Sequence, residues 1–268
     1  VSSQFQAVPV GYASGELFIP VVFNGHGSSK TDEYAYKWIT GISIVNQSVD
    51  TADVEVLYTG DNGTYTHKCT RSLSPGSSIT WYAPEMGTGV GAGAGWSCPS
   101  GKIRWVSGTT FGSAKVKATG ADVLVIGNSN KYDTGGLGAI GYSGLAATSV
   151  VAKQKAVCPL AFNRSPANDW VTGIPVVNMG NGPTTVTLKM VRADADPTLS
   201  GNSQQFTCQL GAGKSCSIYF PEESAALKNF AGAVFVESSS QPIAVQSSST
   251  NYSGSINSGA IYDCINYD

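Results

Sequence analysis

The chain has 268 residues, of which 13% are charged, with a formal net charge of −2 and a pI of about 5.7. Such a surface gives no basis for nucleic-acid binding, which depends on clustered Lys and Arg. No apolar run approaches the ~18 residues of a membrane-spanning helix. Low charge, together with 32 Gly residues and abundant Ser and Thr, is typical of a β-rich secreted protein.

Short apolar or alternating runs, separated by turn residues, predict β-strands along the chain. In the first half they lie at 18–24, 38–46, 54–58, 73–84, 112–118, 121–126 and 138–142. In the second half they lie at 157–163, 170–178, 185–191, 210–221, 232–238, 241–246 and 259–262. Convincing helical periodicity is absent, so the pattern predicts an all-β fold.

One nine-residue motif occurs in both halves and sets their alignment. Trp38–Asn46 reads WITGISIVN and Trp170–Asn178 reads WVTGIPVVN. The flanking runs repeat in the same order, which indicates two copies of one folding unit. We therefore predict two tandem antiparallel β-sandwiches of the immunoglobulin-like kind, at 16–146 and 147–268. The first copy alone carries an inserted loop, 86–111.

Six cysteines in a secreted-looking chain predict disulfides. Cys208 and Cys216 flank a hairpin turn and form one expected pair. Cys158 and Cys264, in the first and last strands of the second copy, form another. Cys69 and Cys98 remain as the third pair, between a strand and the inserted loop. With no CxxC spacing and two histidines, the sequence does not predict a zinc or haem site.

Two turns leave calcium as an alternative to the expectation of no cofactor. Asp61–Gly63 and Asp194–Asp196 have acidic or amide residues at close spacing, but neither has the full ligand series of a calcium loop. Simple Asx turns explain the same residues.

The inserted loop supplies candidate binding aromatics. Trp96 and Trp105 flank Cys98 and suit an interface or a stacked sugar ring, although core packing is the commoner fate of such side chains. Four tripeptides fit the N-glycosylation pattern, at Asn46, Asn62, Asn163 and Asn251.

No residue set predicts catalysis. His26 and His67 lie in different contexts, and no Gly-x-Ser-x-Gly elbow accompanies them. The carboxylates that could form a catalytic pair lie at predicted turns, namely Asp32, Glu33, Glu85, Asp194, Asp196, Glu222 and Glu223. We expect a protein that is not an enzyme, with hydrolysis as the weakest alternative.

Within the N-terminal segment 1–15, residues 7–15 resemble the closing strand of the first copy, 138–144. Both segments run through small apolar residues to Gly-Tyr, and Ser and Gly follow. The segment is therefore predicted to form a strand that adds to a neighbouring subunit, or alternatively one that folds onto its own first copy. The assembly residues of this strand would be Phe5, Ala7, Val8, Val10 and Tyr12.

The order of motifs over 16–268 resembles tandem immunoglobulin-like repeat modules of secreted and surface-anchored bacterial proteins. The resemblance implies a surface scaffold or adhesive role and no catalytic residues. We expect an extracellular structural protein, a subunit of a pilus-like cell-surface filament or layer that joins head-to-tail by β-strand addition. The alternative is a monomeric adhesin or carbohydrate-binding module. The expected partners are other copies of the chain, with glycans as an alternative.

Overall fold

The computed structural model describes residues 13–26, 38–60, 65–82, 95–98, 110–131, 142–145, 147–148, 153–164, 170–193, 203–223, 227–251 and 258–268. The chain divides into two compact units, Val1–Val150 (unit one) and Val151–Asp268 (unit two). The boundary lies a few residues beyond the predicted one, because Ala147 and Thr148 pair with the first strand of unit one.

Every regular element among the described residues is a β-strand, which confirms the predicted all-β class. Unit one contains β1 (Glu16–His26), β2 (Trp38–Asn46), β3 (Ala52–Gly60), β4 (Thr66–Leu73), β5 (Ser78–Tyr82), β6 (Phe111–Thr119), β7 (Val123–Lys131), β8 (Tyr142–Leu145) and β9 (Ala147–Thr148). Unit two contains β10 (Lys155–Asn163), β11 (Trp170–Asn178), β12 (Thr184–Arg192), β13 (Ser203–Leu210), β14 (Ser215–Tyr219), β15 (Phe230–Ser238), β16 (Ile243–Asn251), β17 (Ser258–Asp263) and β18 (Ile265–Tyr267). In this part of the chain there is no helix with the length and hydropathy to cross a membrane.

The strands of unit one form two antiparallel layers. One layer has the order β4-β3-β6-β1, with β9 on the other side of β1. The second layer has β7 between β2 and β8, and β5 lies on the far side of β2. Unit two has the same order, β13-β12-β15-β10 in one layer and β11-β16-β17 in the other, with β14 on β11 and β18 on β10. The structure confirms two antiparallel β-sandwiches.

The first strand of each unit takes part in both layers. In unit one, β1 pairs with β6 and then with β2 at Asn24 and His26. Its ladder with β6 shifts between Ile19 and Val22, around Pro20. The ladder of β10 with β15 shifts at the equivalent place, around Pro159. Because proline has no N–H to give to a ladder, it suits this bulge, which precedes the residues of β1 and β10 that pair with the second layer.

Alternating side chains fill the space between the layers. In unit one the buried core includes Ile42, Ile44, Val54, Val56, Tyr58, Trp81, Val116 and Val125. In unit two it includes Ile174, Val176, Val186, Leu188, Phe220, Phe230, Val236 and Val245. The repeated nine-residue motif is therefore a core strand, β2 in unit one and β11 in unit two.

The threonine of the motif joins three strands through its hydroxyl. The Phe23 N–H of β1 donates to Thr40 Oγ1 over 2.9 Å, and Thr40 Oγ1 lies 2.6 Å from Ser129 Oγ of β7. In unit two Thr172 makes the same two contacts, with the Phe162 N–H and Ser249 Oγ, at 2.8 and 2.7 Å. The hydroxyl thus satisfies a backbone N–H at the place where β1 changes layers.

The asparagine that ends the motif is a buried hydrogen-bonding centre. Asn46 Nδ2 donates to the carbonyls of Asp50, Leu73 and Ser74 at 2.8 to 3.3 Å, and its Oδ1 accepts from the Ser48 N–H. Asn178 repeats the pattern with Gly182, Leu210, Gly211 and the Gly180 N–H. Each asparagine joins the turn after its strand to the turn that precedes β5 or β14.

The closing strands differ from the prediction. The predicted closing strands, 138–142 and 259–262, both end in tyrosine, which makes Tyr142 and Tyr262 equivalent by sequence. In the structure Tyr142 pairs with Ser129 and Tyr262 pairs with Ser247. Ser129 and Ser249 are equivalent, because they make the same contact with the motif threonine. Two residues earlier, Gly127 and Ser247 are then equivalent. Their partners on the closing strands are Gly144 and Tyr262, so these two residues occupy the same place. The similarity of the two tyrosines misaligned the strands by two residues.

Replacing either motif asparagine should destabilise its own unit. Asn46→Ala removes the donor to three carbonyls and the acceptor of an N–H, and we expect the unfolding free energy of unit one to fall by about 2–4 kcal/mol. Asn178→Ala should do the same in unit two. Urea denaturation followed by circular dichroism measures both changes.

The exposed neighbour Gln47 is the control for this experiment. Gln47→Ala should change the free energy by less than about 0.5 kcal/mol. Losses of that small size in both asparagine variants would show that the buried amides do not stabilise the turns.

Candidate interaction surface

The three disulfides have the predicted pairing: Cys69–Cys98, Cys158–Cys264 and Cys208–Cys216. Each links an element at the edge of a sheet. Cys69 lies on β4, Cys208 and Cys216 lie on β13 and β14, and Cys264 lies between β17 and β18. The disulfide between Cys158 and Cys264 closes a separation of 106 residues, for which the loss of entropy in the unfolded chain contributes roughly 4–5 kcal/mol.

Residues 95–98 cover part of the outer edge of β4. Thr70 and Ser97 exchange backbone hydrogen bonds of 2.9 and 3.0 Å in an antiparallel bridge. The neighbouring Cys98 is joined to Cys69, so the bridge is held covalently to the strand that it covers. Unit one therefore has a piece of its own chain added to this edge.

The position of Trp96 contradicts its predicted role as an exposed binding aromatic. The side chain is half-buried and packs against the core of unit one, and its Nε1–H donates to the Thr80 carbonyl over 3.2 Å. The disulfide at Cys98 keeps this segment against the sheet, so the indole ring joins the core instead of projecting into solvent. Trp105 lies outside the described residues.

The equivalent strand of unit two, β13, has no described strand on its outer edge. It pairs with β12 through eight regular residue pairs, and no described strand pairs with its other side. Its sequence, SQQFTCQL, contains no charged residue, whereas β4 contains Lys68 and Arg71. Sequence analysis placed Cys208 beside a hairpin turn but predicted no strand at 203–210. It also did not distinguish the two edges, because the covering residues 95–98 are remote from β4 in the sequence.

An apolar row crosses the outer face of unit two. Phe235 on β15 pairs with Val157 on β10, which also pairs with Ile265 on β18. Phe235 is 40% exposed and Ile265 is 60% exposed. In unit one the equivalent positions are occupied by Lys115, Phe18 and Ala147. The Lys115 ammonium lies 4.9 Å from the ring centroid of Phe18, and the Phe18 residue is 1% exposed. The outer faces of the two units therefore differ in chemistry.

Asp263 is a half-buried acid of unit two that sequence analysis missed. Removal of its carboxyl from water raises its pKa to about 7, although a hydrogen bond of 3.0 Å from Gln246 Nε2 to Oδ1 acts in the opposite direction. Gln246 and Asp263 pair between β16 and β17, where unit one has Ile126 and Leu145. The polar pair thus replaces an apolar one, and only comparison of the two units in the correct register reveals it.

One cluster of potential metal ligands occurs in the described part of the chain, formed by His67, Cys69 and Cys98. His67 is buried, and its Nδ1 lies 3.5 Å from Cys69 Sγ. Because the two sulfurs are bonded to each other, they are not available as thiolate ligands. The cluster is a disulfide packed against a histidine.

Two of the four predicted glycosylation sites are wrong for the folded protein. Asn46 is fully buried, and its Nδ2 donates to three carbonyls. Asn163 is 5% exposed, and its Nδ2 donates to the Leu227 carbonyl over 3.1 Å. An amide nitrogen enclosed in this way cannot carry a glycan. Asn251 is half-buried at the end of β16 and stays a prediction.

Several predicted features lie outside the described residues. These are the assembly residues Phe5, Ala7, Val8, Val10 and Tyr12, the glycosylation site Asn62, and both candidate calcium turns, 61–63 and 194–196.

The raised pKa of Asp263 predicts a pH-dependent stability of unit two. Between about pH 4 and about pH 7 the folded protein holds a proton that the unfolded chain has released, so stability should decrease as the pH rises through this range. Above about pH 7 both states are ionised, and this group causes no further change. Urea denaturation at a series of pH values measures the slope.

Asp263→Asn should flatten this slope, because an amide oxygen still accepts from Gln246 but does not titrate. Glu222→Gln, at an exposed carboxyl of the same unit, should leave the slope unchanged. An identical pH profile for the wild type and Asp263→Asn would contradict the assignment.

No protein-family model matches the chain, and no curated protein matches it. Among solved structures, it is similar to the crystal structure of Thermotoga maritima 1070, with a TM-score of 0.34 and 11% identity over 42% of this chain and 93% of that one. A calcium-binding mutant of Bacteroides uniformis beta-glucuronidase 2 gives a TM-score of 0.18 and 10% identity over 91% of this chain and 28% of that one. At TM-scores this low, neither similarity indicates a fold or a function for this chain.

Proposed function

We propose that the chain is an extracellular structural subunit that joins copies of itself head-to-tail into a surface filament or layer. The observation that carries the proposal is the position of the disulfides, each of which links an edge element of a β-sandwich. Edge strands have a hydrogen-bonded neighbour on one side only, so they separate from a sheet more readily than central strands. Covalent links at these places suit a protein that carries tension or resists proteolysis.

The environment of the protein follows from the same bonds. Three disulfides indicate an oxidising compartment. The low share of charged residues suits the cell surface, and so do two consecutive sandwiches that each contain at least one internal disulfide. The proposed connection between subunits is the uncharged segment 1–15, which would add as a strand to the next copy.

A second candidate function rests on the apolar row of unit two. Phe235 and Ile265 are exposed on a sheet face that also carries Lys155 and Glu237, whose charged groups lie 4.0 Å apart. Apolar groups surrounded by polar ones suit a protein or glycan ligand, so a monomeric adhesin is the alternative. Glycan-array binding by a protein that stays monomeric would favour it.

Assembly is tested on the full-length protein by negative-stain electron microscopy and analytical ultracentrifugation. We expect the wild type to form elongated polymers. Val8→Asp combined with Val10→Asp should leave a folded monomer, because carboxylates next to an added strand are costly to desolvate.

Val49→Asp is the matched control, since Val49 is 87% exposed and lies outside the segment. It should polymerise as the wild type does. A wild-type protein that sediments as a monomer at all concentrations would refute the assembly function. Polymers that persist in the double variant would exclude residues 8 and 10 from the contact.

A further inference from the structure

The outer strands β4 and β13 occupy the same place in their units, and their edges can be compared residue by residue. Glu55 pairs with Thr70, and the equivalent Thr187 pairs with Thr207. The N–H and carbonyl of Thr70 point away from β3, because both bond to Ser97. By the same register, the N–H and carbonyl of Thr207 point away from β12. Since the ladder is regular, those of Gln205 and Gln209 do so as well.

This edge of β13 lacks the features by which proteins usually prevent strand addition. Edges are normally protected by charged side chains, proline, a bulge or extreme shortness. β13 is eight residues long, has no charge and no proline, and keeps regular pairing with β12 throughout. The other edge strands of unit two are shorter, with β14 five residues long, β17 six and β18 three, and β17 ends in Asp263.

We propose that the outer edge of β13 accepts residues 6–12 of a second copy of the chain as an added strand. The inference rests on the assembly function proposed above and identifies its acceptor. In unit one the chain itself shows the same kind of contact, where Ser97 adds to Thr70. The proposal extends this contact to the equivalent edge of unit two, with the added strand coming from another molecule.

The donor segment matches the acceptor in charge and in backbone pattern. Residues 1–15 contain no charged side chain, and neither does β13. Pro9 has no N–H, so the added strand must turn the backbone of its odd-numbered residues away from β13. The N–H and carbonyl groups of Val8, Val10 and Tyr12 would then face the acceptor.

The acceptor strand is also tied to the opposite layer. Cys208 of β13 is bonded to Cys216 of β14, and β14 pairs with β11. A load applied to β13 through an added strand would therefore pass covalently to the second layer as well as through the hydrogen bonds to β12.

The test uses the full-length Val8→Asp and Val10→Asp double variant as the acceptor and a fluorescent synthetic peptide of residues 1–12 as the probe. Anisotropy should show binding, and hydrogen exchange should slow at the amides of β13 but not at those of β4. Thr207→Pro, added to the acceptor, removes one outward N–H and should weaken binding at least about tenfold. Ser72→Pro, on the equivalent edge of unit one, is the matched control and should bind normally.

A pair of modified peptides tests the backbone pattern without changing the protein, should Thr207→Pro fail to fold. N-methylation of Val10 should weaken binding at least about tenfold, whereas N-methylation of Gly11 should not. Three outcomes would overturn the acceptor assignment and leave the assembly function intact. They are equal binding of the two peptides, slowed hydrogen exchange at a place other than β13, and a wild type that polymerises while the peptide does not bind. A monomeric wild type that also fails to bind the peptide would overturn both.

Discussion

Closure of each sandwich depends on one backbone N–H that bonds to a side chain instead of a neighbouring strand. Phe23 in unit one and Phe162 in unit two donate to a buried threonine hydroxyl, close to the point where the strand leaves one layer for the other. A buried N–H without an acceptor costs free energy comparable to a lost hydrogen bond, so a strand that changes layers needs a substitute at this place. Thr40 and Thr172 supply it, and their contacts with Ser129 and Ser249 fix the hydroxyl from the second layer.

Much of this architecture could be predicted from sequence, because it depends on local periodicity and on a repeat. Alternating and apolar runs predicted most of the strands, although not β4 or β13, and alignment of the halves predicted all three disulfides. Predictions from the sequence were wrong where the environment of a residue depends on residues far from it in the chain. The tripeptide at Asn46 has the glycosylation pattern, but carbonyls 27 and 28 residues away enclose its amide. Trp96 is drawn into the core by a strand far from it in sequence. Two similar tyrosines hid a shift of register at the closing strands.

The two units show how one topology supports different surfaces. Positions between the layers keep their chemistry, as the motif threonine and asparagine illustrate, because any change there disturbs several strands at once. Positions on the outer face are free to diverge. Glu16 pairs with Lys117 in unit one, and the charges are exchanged as Lys155 and Glu237 in unit two. Lys115 is replaced by Phe235, and the apolar pair Ile126 and Leu145 by Gln246 and Asp263.

The short segment 95–98 affects the number of edge strands to which another copy could add a strand. It covers part of the outer edge of β4, at Thr70, and is attached there through Cys98, whereas no described strand lies on the outer edge of β13. In the proposed assembly, a subunit with both edges open would offer two acceptor strands, and strand addition would yield branched networks. In the proposed assembly, with the edge of β4 obstructed, each subunit would offer one acceptor and one donor of this kind, and growth would be limited to an unbranched chain with a defined polarity. A single cystine in a loop would thereby determine the dimensionality of the assembly.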